Sequence, residues 1–116
     1  MNIVLGVTGS IAAYKAADII SRLKKLGHEV DVILTESGSR IITPITLQTL
    51  SKNKVYMDMF EEITPKEVKH ISLAEKADLM LIAPATANII GKIANGIADD
   101  FLSTVVMAAA NTTPVY

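Results

Sequence analysis

Apolar positions along this chain come in two alternating rhythms, continuous runs and stripes spaced three and four residues apart. The run Ile3-Val4-Leu5, carried on by Val7, reads as a buried parallel strand. It breaks at Gly9-Ser10, a permissive turn followed by a helix-capping hydroxyl. Helical spacing then begins over residues 11–26, with Ala12, Ala16, Ile19, Ile20, Leu23 and Leu26 on one stripe and Lys15, Asp18, Arg22 and Lys25 off it. Gly27 ends that helix as a C-terminal cap. Residues 29–35 hold Val30, Val32, Ile33 and Leu34 and form a second strand, closing a strand-helix-strand unit.

Beyond it the pattern is punctuated by polar turns. Thr35-Glu36-Ser37-Gly38-Ser39 follows the second strand as a turn, and residues 40–52 read as helical with a break at Pro44, Thr43 as cap and Ile45, Leu47 and Leu50 facing inward. Residues 55–60 make a short strand and residues 61–69 a charged connector around Pro65. His70 then leads into a short amphipathic helix over 71–76. Residues 78–83, Asp-Leu-Met-Leu-Ile-Ala, are the clearest buried strand and end at the turn Pro84-Ala85-Thr86-Ala87-Asn88. Two helices follow over 87–94 and 98–109, separated by Asn95-Gly96, and residues 113–116 begin another strand.

Strands alternating with helices predict a single α/β domain with a doubly wound, mostly parallel sheet. In such sheets ligands bind outside the carboxyl ends of the strands, so the turns at Gly9-Ser10, 35–39 and 84–88 converge on one edge. A proline ending a core strand, followed by small and amide residues, leaves space that a flat ligand would fill. The first of these turns also supplies backbone N–H donors and the positive end of a helix, which attract phosphate.

Composition narrows this picture. Half of the 116 residues are apolar, yet only 4% are aromatic and none is Trp. That surplus of aliphatic surface in so small a domain predicts burial in a subunit interface. A net charge of -1 with dispersed Lys and Arg gives no footprint for nucleic acid. The chain has no Cys, which removes disulfides, thiolate metal sites and a cysteine nucleophile within these residues. His28-Glu29 lacks the second His of a zinc motif, so no metal site is expected. No basic leader and no membrane-length apolar run is present, so the expected location is cytoplasmic. Gly6 and Gly9 match neither the dinucleotide spacing nor the P-loop spacing.

Five collinear motifs carry a more specific signal: residues 7–15 (VTGSIAAYK), Ile42-Thr43-Pro44, Lys69-His70-Ile71-Ser72-Leu73, residues 83–88 (APATAN) and residues 96–104 (GIADDFLST). In this order they resemble the homo-oligomeric flavin-containing cysteine decarboxylases, and within them the branch that acts on phosphopantothenoylcysteine in coenzyme A biosynthesis. The resemblance implies a flavodoxin-like Rossmann subunit that binds FMN, with trimers assembling into a dodecamer and the flavin at a subunit contact. By motif, Gly9, Ser10 and Ala12 would touch the flavin nucleotide, with Thr35 and Ser37 near it. Pro84, Ala85, Thr86 and Asn88 would line the ring, and Ser103 and Thr104 would complete the pocket.

His70 corresponds to the family's active-site histidine, as acid/base or as the group that orients the substrate carboxylate. Its ordinary pKa of roughly 6.5 suits proton exchange near neutrality. The family chemistry oxidises the cysteine moiety of the substrate at the flavin to a thioaldehyde, which then loses carbon dioxide readily because the thiocarbonyl accepts electrons. Relatives in the pathway continue into an asparagine motif and a clamp cysteine. This sequence stops at Tyr116, before either, so the domain is expected to be incomplete at its C-terminus, with a synthetase fused downstream or separate. Two other readings stay open at this point, a flavin prenyltransferase of the same fold and a non-catalytic FMN-binding regulatory subunit.

Overall fold

The computed structural model describes residues 1–57 and 66–116, with side chains at 1–57 and 71–116. Four parallel strands, β1 (Asn2–Val7), β2 (Glu29–Leu34), β3 (Val55–Tyr56) and β4 (Leu79–Ile82), stand in the order β3-β2-β1-β4. Register pairs Asn2 with Glu29 and Val7 with Leu34 on one side of β1, and Ile3 with Leu79 on the other. Val115 makes a parallel bridge to Met80, so the chain after the last helix adds to the far side of β4.

The strands alternate across the sheet as their period of two demands. Leu5, Val7, Val30, Val32 and Leu34 face one core, which also holds Ala16 and Ile20 of α1 (Ala16–Lys25) and Leu47 of α3 (Pro44–Ser51). Val4, Ile33, Met80 and Ile82 face the other, with Leu73 of α4 (Lys66–Lys76), Ile89 of α5 (Ala87–Ala94) and Phe101, Leu102, Val105 and Val106 of α6 (Phe101–Ala109). Helices therefore cover both faces. The sheet is doubly wound, as the alternating pattern predicts, and flavodoxin-like, as the resemblance implies.

Several boundaries differ from the sequence reading. The helix expected over 11–26 is a 3-10 helix, Ile11–Lys15, followed by α1. Ser10 caps the first turn by accepting the Ala12 N–H at 3.2 Å. Leu26 is 73% exposed rather than part of the apolar stripe. The chain has already turned there: Gly27 sits at φ 89°, with its N–H bonded to the Lys24 carbonyl and that of His28 to Leu23. This is a Schellman closure that only a residue tolerant of positive φ can make cheaply.

The 35–39 turn is itself one helical turn, α2 (Glu36–Ser39), and residues 40–43 are not helical. Thr43 caps α3 through the Thr46 N–H as expected, but Ile45 is 72% exposed while Leu47 is fully buried. Of the strand expected over 55–60, residues 58–60 lie outside the described residues. Helix α4 begins at Lys66 rather than Ile71. The charged residues of 66–69 read as a connector, yet Lys and Glu are good helix formers and Val68 falls at helical spacing before Ile71. Helix α6 begins at Phe101, not Ala98, because the Asp100 side chain accepts the Ser103 N–H and stops the helix from extending backwards.

Candidate functional site

From β1 the chain steps to β2 on one side, and from β3 it crosses to β4 on the other, so the winding reverses between β1 and β4. At such a switch point the two strand-end loops diverge and leave a crevice. Here the loops are tied directly together. The Thr8 hydroxyl, 2% exposed, donates to the Pro84 carbonyl at 2.5 Å and accepts the Thr86 N–H at 3.1 Å. Thr35 lies on the other flank, where its hydroxyl accepts the Gly38 N–H at 3.1 Å and its own N–H donates to the Val7 carbonyl.

Gly9 lets the first two turns touch. A Cβ there would stand 2.3 Å from the Ser37 Cβ and 2.9 Å from the Ser37 carbonyl carbon, closer than atoms can approach. A side chain at this position would push the two turns apart, so glycine fixes their contact at the edge of the cleft. The resulting cleft, about 450 Å³, lies within the range of small-molecule sites.

Of the residues singled out in the sequence, Gly9, Thr35, Ser37, Thr86 and Asn88 line this cleft. Thr86 is occupied as cap of α5, accepting the Ile89 N–H at 3.3 Å. Among the described residues the Asn88 amide and the Ser37 hydroxyl have no side-chain hydrogen-bond partner, and both residues are exposed where they line the cleft. Ser10 caps the 3-10 helix that follows Gly9 and Ala12 lies within it, and neither is among the residues that line the cleft. Pro84 contributes its carbonyl to the Thr8 tie, and Ala85 lines a separate apolar groove with Ile89 and Ile90.

Ser103 and Thr104 do not line the cleft. The Ser103 hydroxyl, 2% exposed, bonds Asp100 Oδ1 at 2.5 Å, and that of Thr104 donates to the Asp100 carbonyl at 2.6 Å. Their place is behind Asp100, which does line it. His70 falls on α4, and its side chain lies outside the described residues.

The structure adds cleft residues that motif reading did not assign: Thr8, Glu36, Ile89, Lys92, Asp99 and Asp100. The spacing Asp100-x-x-Ser103 is a readable capping-box signal, since each side chain satisfies the other residue's N–H. Lys92 Nζ lies 2.8 Å from Asp99 Oδ1 and 3.3 Å from Asp100 Oδ2. Its hydrogen bond to Asp99, with the nearby Asp100 charge, holds the ammonium above the ordinary lysine range. Burial by itself would raise the Asp100 carboxyl. The hydroxyl and N–H of Ser103, together with Lys92, outweigh that and hold it below the usual value.

The family described as Flavoprotein matches residues 1–116, the whole of this sequence. The chain belongs to the flavoprotein family. It is 51% identical over 115 residues to the coenzyme A biosynthesis bifunctional protein CoaBC of Bacillus subtilis (strain 168), covering 99% of this chain and 28% of that protein. It is 46% identical, again over 115 residues, to a probable phosphopantothenoylcysteine decarboxylase of Streptococcus mutans, covering 99% of this chain and 64% of the relative. The chain thus spans less than two thirds of the length of either relative. Among solved structures, the FMN-dependent cysteine decarboxylase TvaF from thioviridamide biosynthesis superposes with a TM-score of 0.90 at 28% identity, covering 99% of this chain and 70% of that one.

Proposed function

We propose that this flavoprotein domain binds FMN in the cleft between the β1 and β4 loops and serves an FMN-dependent decarboxylase. The substrate is 4'-phosphopantothenoylcysteine, which the reaction converts to 4'-phosphopantetheine in coenzyme A biosynthesis. The observation that carries this reading is the cleft lined by the closely packed Gly9 and Ser37 turns and an exposed Asn88 amide, in a chain 46% identical over 115 residues to a protein named for that decarboxylation. Those names also favour it over a prenyltransferase or a regulatory subunit.

The residues present fit a flavin nucleotide. Gly9 lets the 35–39 turn close against the β1 loop so that Ser37 reaches the cleft, Ser37 and Asn88 offer exposed polar groups, and the first-turn N–H groups of α5 that Thr86 leaves open favour an anion. Bound FMN supplies the two-electron oxidation of the substrate's cysteine moiety, the step the side chains of this domain cannot perform. The protein's part is to hold ring and substrate together, exclude water and manage a proton. His70, on the helix packed against the opposite face of the sheet from α1, is the residue proposed for the proton or for orienting the substrate carboxylate. The remaining assignments follow the motifs, with Ser10, Ala12 and Thr35 beside the nucleotide and Pro84, Ala85 and Thr86 beside the ring.

The same reading makes the protein a homo-oligomer acting in the cytoplasm, with a synthetase that either continues the polypeptide, as in the bifunctional relative, or works separately. No helix among the described residues is long and apolar enough to cross a membrane. The test is a visible spectrum of the purified protein followed by carbon dioxide release from phosphopantothenoylcysteine. Flavin absorbance with turnover supports the reading, and no flavin removes it. The His70→Asn protein should stay yellow and lose turnover; parental turnover would remove His70 from the chemistry.

A further inference from the structure

The cleft wall formed by α5 and residues 99–100 uses charge where the other walls use hydroxyls. Lys92 is the one cation among the described lining residues, against the carboxylates of Glu36, Asp99 and Asp100. Glu36 has its own cation in Arg40 at 3.8 Å, whereas Asp99 and Asp100 share the single Lys92 ammonium, which leaves a poor environment for an anion unless that ammonium is partly released to it.

The two partners of Lys92 differ in the way such a release requires. Asp100, whose side chain is 20% exposed, is fixed by its capping box with Ser103. The side chain of Asp99 is 61% exposed, and a solvated pair of that kind is weak. Lys92 itself is only 18% exposed, so its charge needs a partner at all times.

Resting on the FMN reading, we infer that Lys92 is an exchangeable cation: it pairs with Asp99 in the free protein and turns to the phosphate monoester of a bound ligand, while Asp100 keeps hold of it. A phosphate offers three strong acceptor oxygens and a larger charge than Asp99, which favours the exchange. The anchored carboxylate keeps the ammonium aimed into the cleft throughout. No bond is made or broken; one ion pair replaces another.

A phosphate monoester reaches this cleft either on FMN or on the phosphorylated substrate. The test is a double-mutant cycle of Lys92→Met and Asp99→Asn with two arms. One arm compares FMN with riboflavin, which lacks the phosphate, by quenching of flavin fluorescence. The other compares the KM of phosphopantothenoylcysteine with that of its dephosphorylated analogue on FMN-loaded protein. Lys92→Met should weaken the phosphorylated ligand about tenfold more than its partner compound, and Lys92→Arg should retain most of the preference. Asp99→Asn should tighten the phosphorylated ligand severalfold, and that gain should vanish in the Lys92→Met background.

The arm that moves identifies the source of the phosphate. Independent, additive effects in both arms, or equal effects with and without the phosphate, would overturn the exchange. Thermal melting without ligand reports whether each variant is folded, and Lys92→Gln replaces Lys92→Met in the cycle if the latter is not. Wild-type protein that binds no FMN would overturn the underlying reading and this one with it, whereas FMN binding with an additive cycle overturns this one alone.

Discussion

The two ends of the sheet are finished with different chemistry. At the N-terminal ends of the strands charge predominates: Lys24 lies 3.4 Å from Glu29, Lys76 lies 2.9 Å from the buried Asp31, and Asp78 accepts the Asn2 N–H at 2.7 Å. Asn53 donates to both Glu29 and the Val30 carbonyl, and its hydrogen bond, with the Lys24 charge, holds the Glu29 carboxyl below its ordinary range. At the C-terminal ends the hydroxyls of Thr8, Ser10, Thr35 and Thr86 each accept a backbone N–H.

A charged pair closes the space between two elements with its own side chains. A hydroxyl cap satisfies the backbone from inside the loop and leaves the outer surface open. One end of the sheet is therefore locked and the other is left as a cleft. At the open end the Glu36–Arg40 pair is solvated, and the Lys92 cluster is the exception that brings largely buried charge there.

The sharpest way to break this contrast is to fill the open end. Gly9→Val would place side-chain atoms where the Ser37 backbone already stands, and the two turns would have to part. FMN affinity should fall by about fivefold to about 150-fold, since overpacking of this kind costs about 1–3 kcal/mol. Far-UV circular dichroism should be retained, because the strands lie below the turn. Parental FMN affinity would show that the turns need not touch.

Thr8→Val comes next in size. It leaves the Thr86 N–H and one Pro84 carbonyl interaction unsatisfied at a buried position, with an expected loss of about 2 kcal/mol in unfolding free energy. Urea titration of the flavin-free protein measures it, and Thr8→Ser should recover most of the loss.

These two positions also show what the sequence made legible. The Gly9 turn could be read because the end of an apolar run, a glycine and a capping serine are all local signals. Thr8 could not, since its partners lie 76 and 78 residues away and nothing local marks a threonine that bridges two loops. The same limit explains Ser103 and Thr104. Motif order placed them with the pocket, but only the fold shows their hydroxyls turned to Asp100, with the carboxylate toward the cleft.

The start of α6 differs because the local cap at Asp100 overrides a helical propensity, and the Gly27 cap was legible, while the strands β1, β2 and β4 and the parallel, doubly wound architecture follow from hydrophobic rhythm. Lys92 falls between these cases. Its helix was read correctly, but pairing across the 95–100 turn leaves no trace in spacing.

At the locked end, Lys76→Met tests whether charge there serves only the fold. It leaves the Asp31 carboxylate, whose side chain is 6% exposed, without its ammonium. Lys76 is itself about half exposed, so the loss expected for breaking a buried pair is discounted to about 1 kcal/mol. FMN affinity should not move. Adding Asp31→Asn should recover part of the stability. The hydrogen bond to Asp31 raises the Lys76 pKa above 10.5, so this contribution is complete below 10.5 and fades only as pH rises through the higher folded value. A change in FMN affinity would mean that the two ends of the sheet are coupled.

The smallest effect lies at the exception itself. Asp100 has a folded pKa below 3.8, so its charge adds stability that is present above 3.8 and disappears as pH falls through the lower folded value. Asparagine also caps helices well, so Asp100→Asn preserves the cap and removes the charge. The stability difference between the two proteins, measured by urea unfolding across a pH series, should stay constant from neutrality down to about pH 5 and shrink only below 3.8. A difference that shrank at higher pH would mean that burial outweighs the Ser103 and Lys92 contacts. Asp100 could then not anchor Lys92 at neutral pH, and the open end of the sheet would lose the one fixed charge that distinguishes its rim.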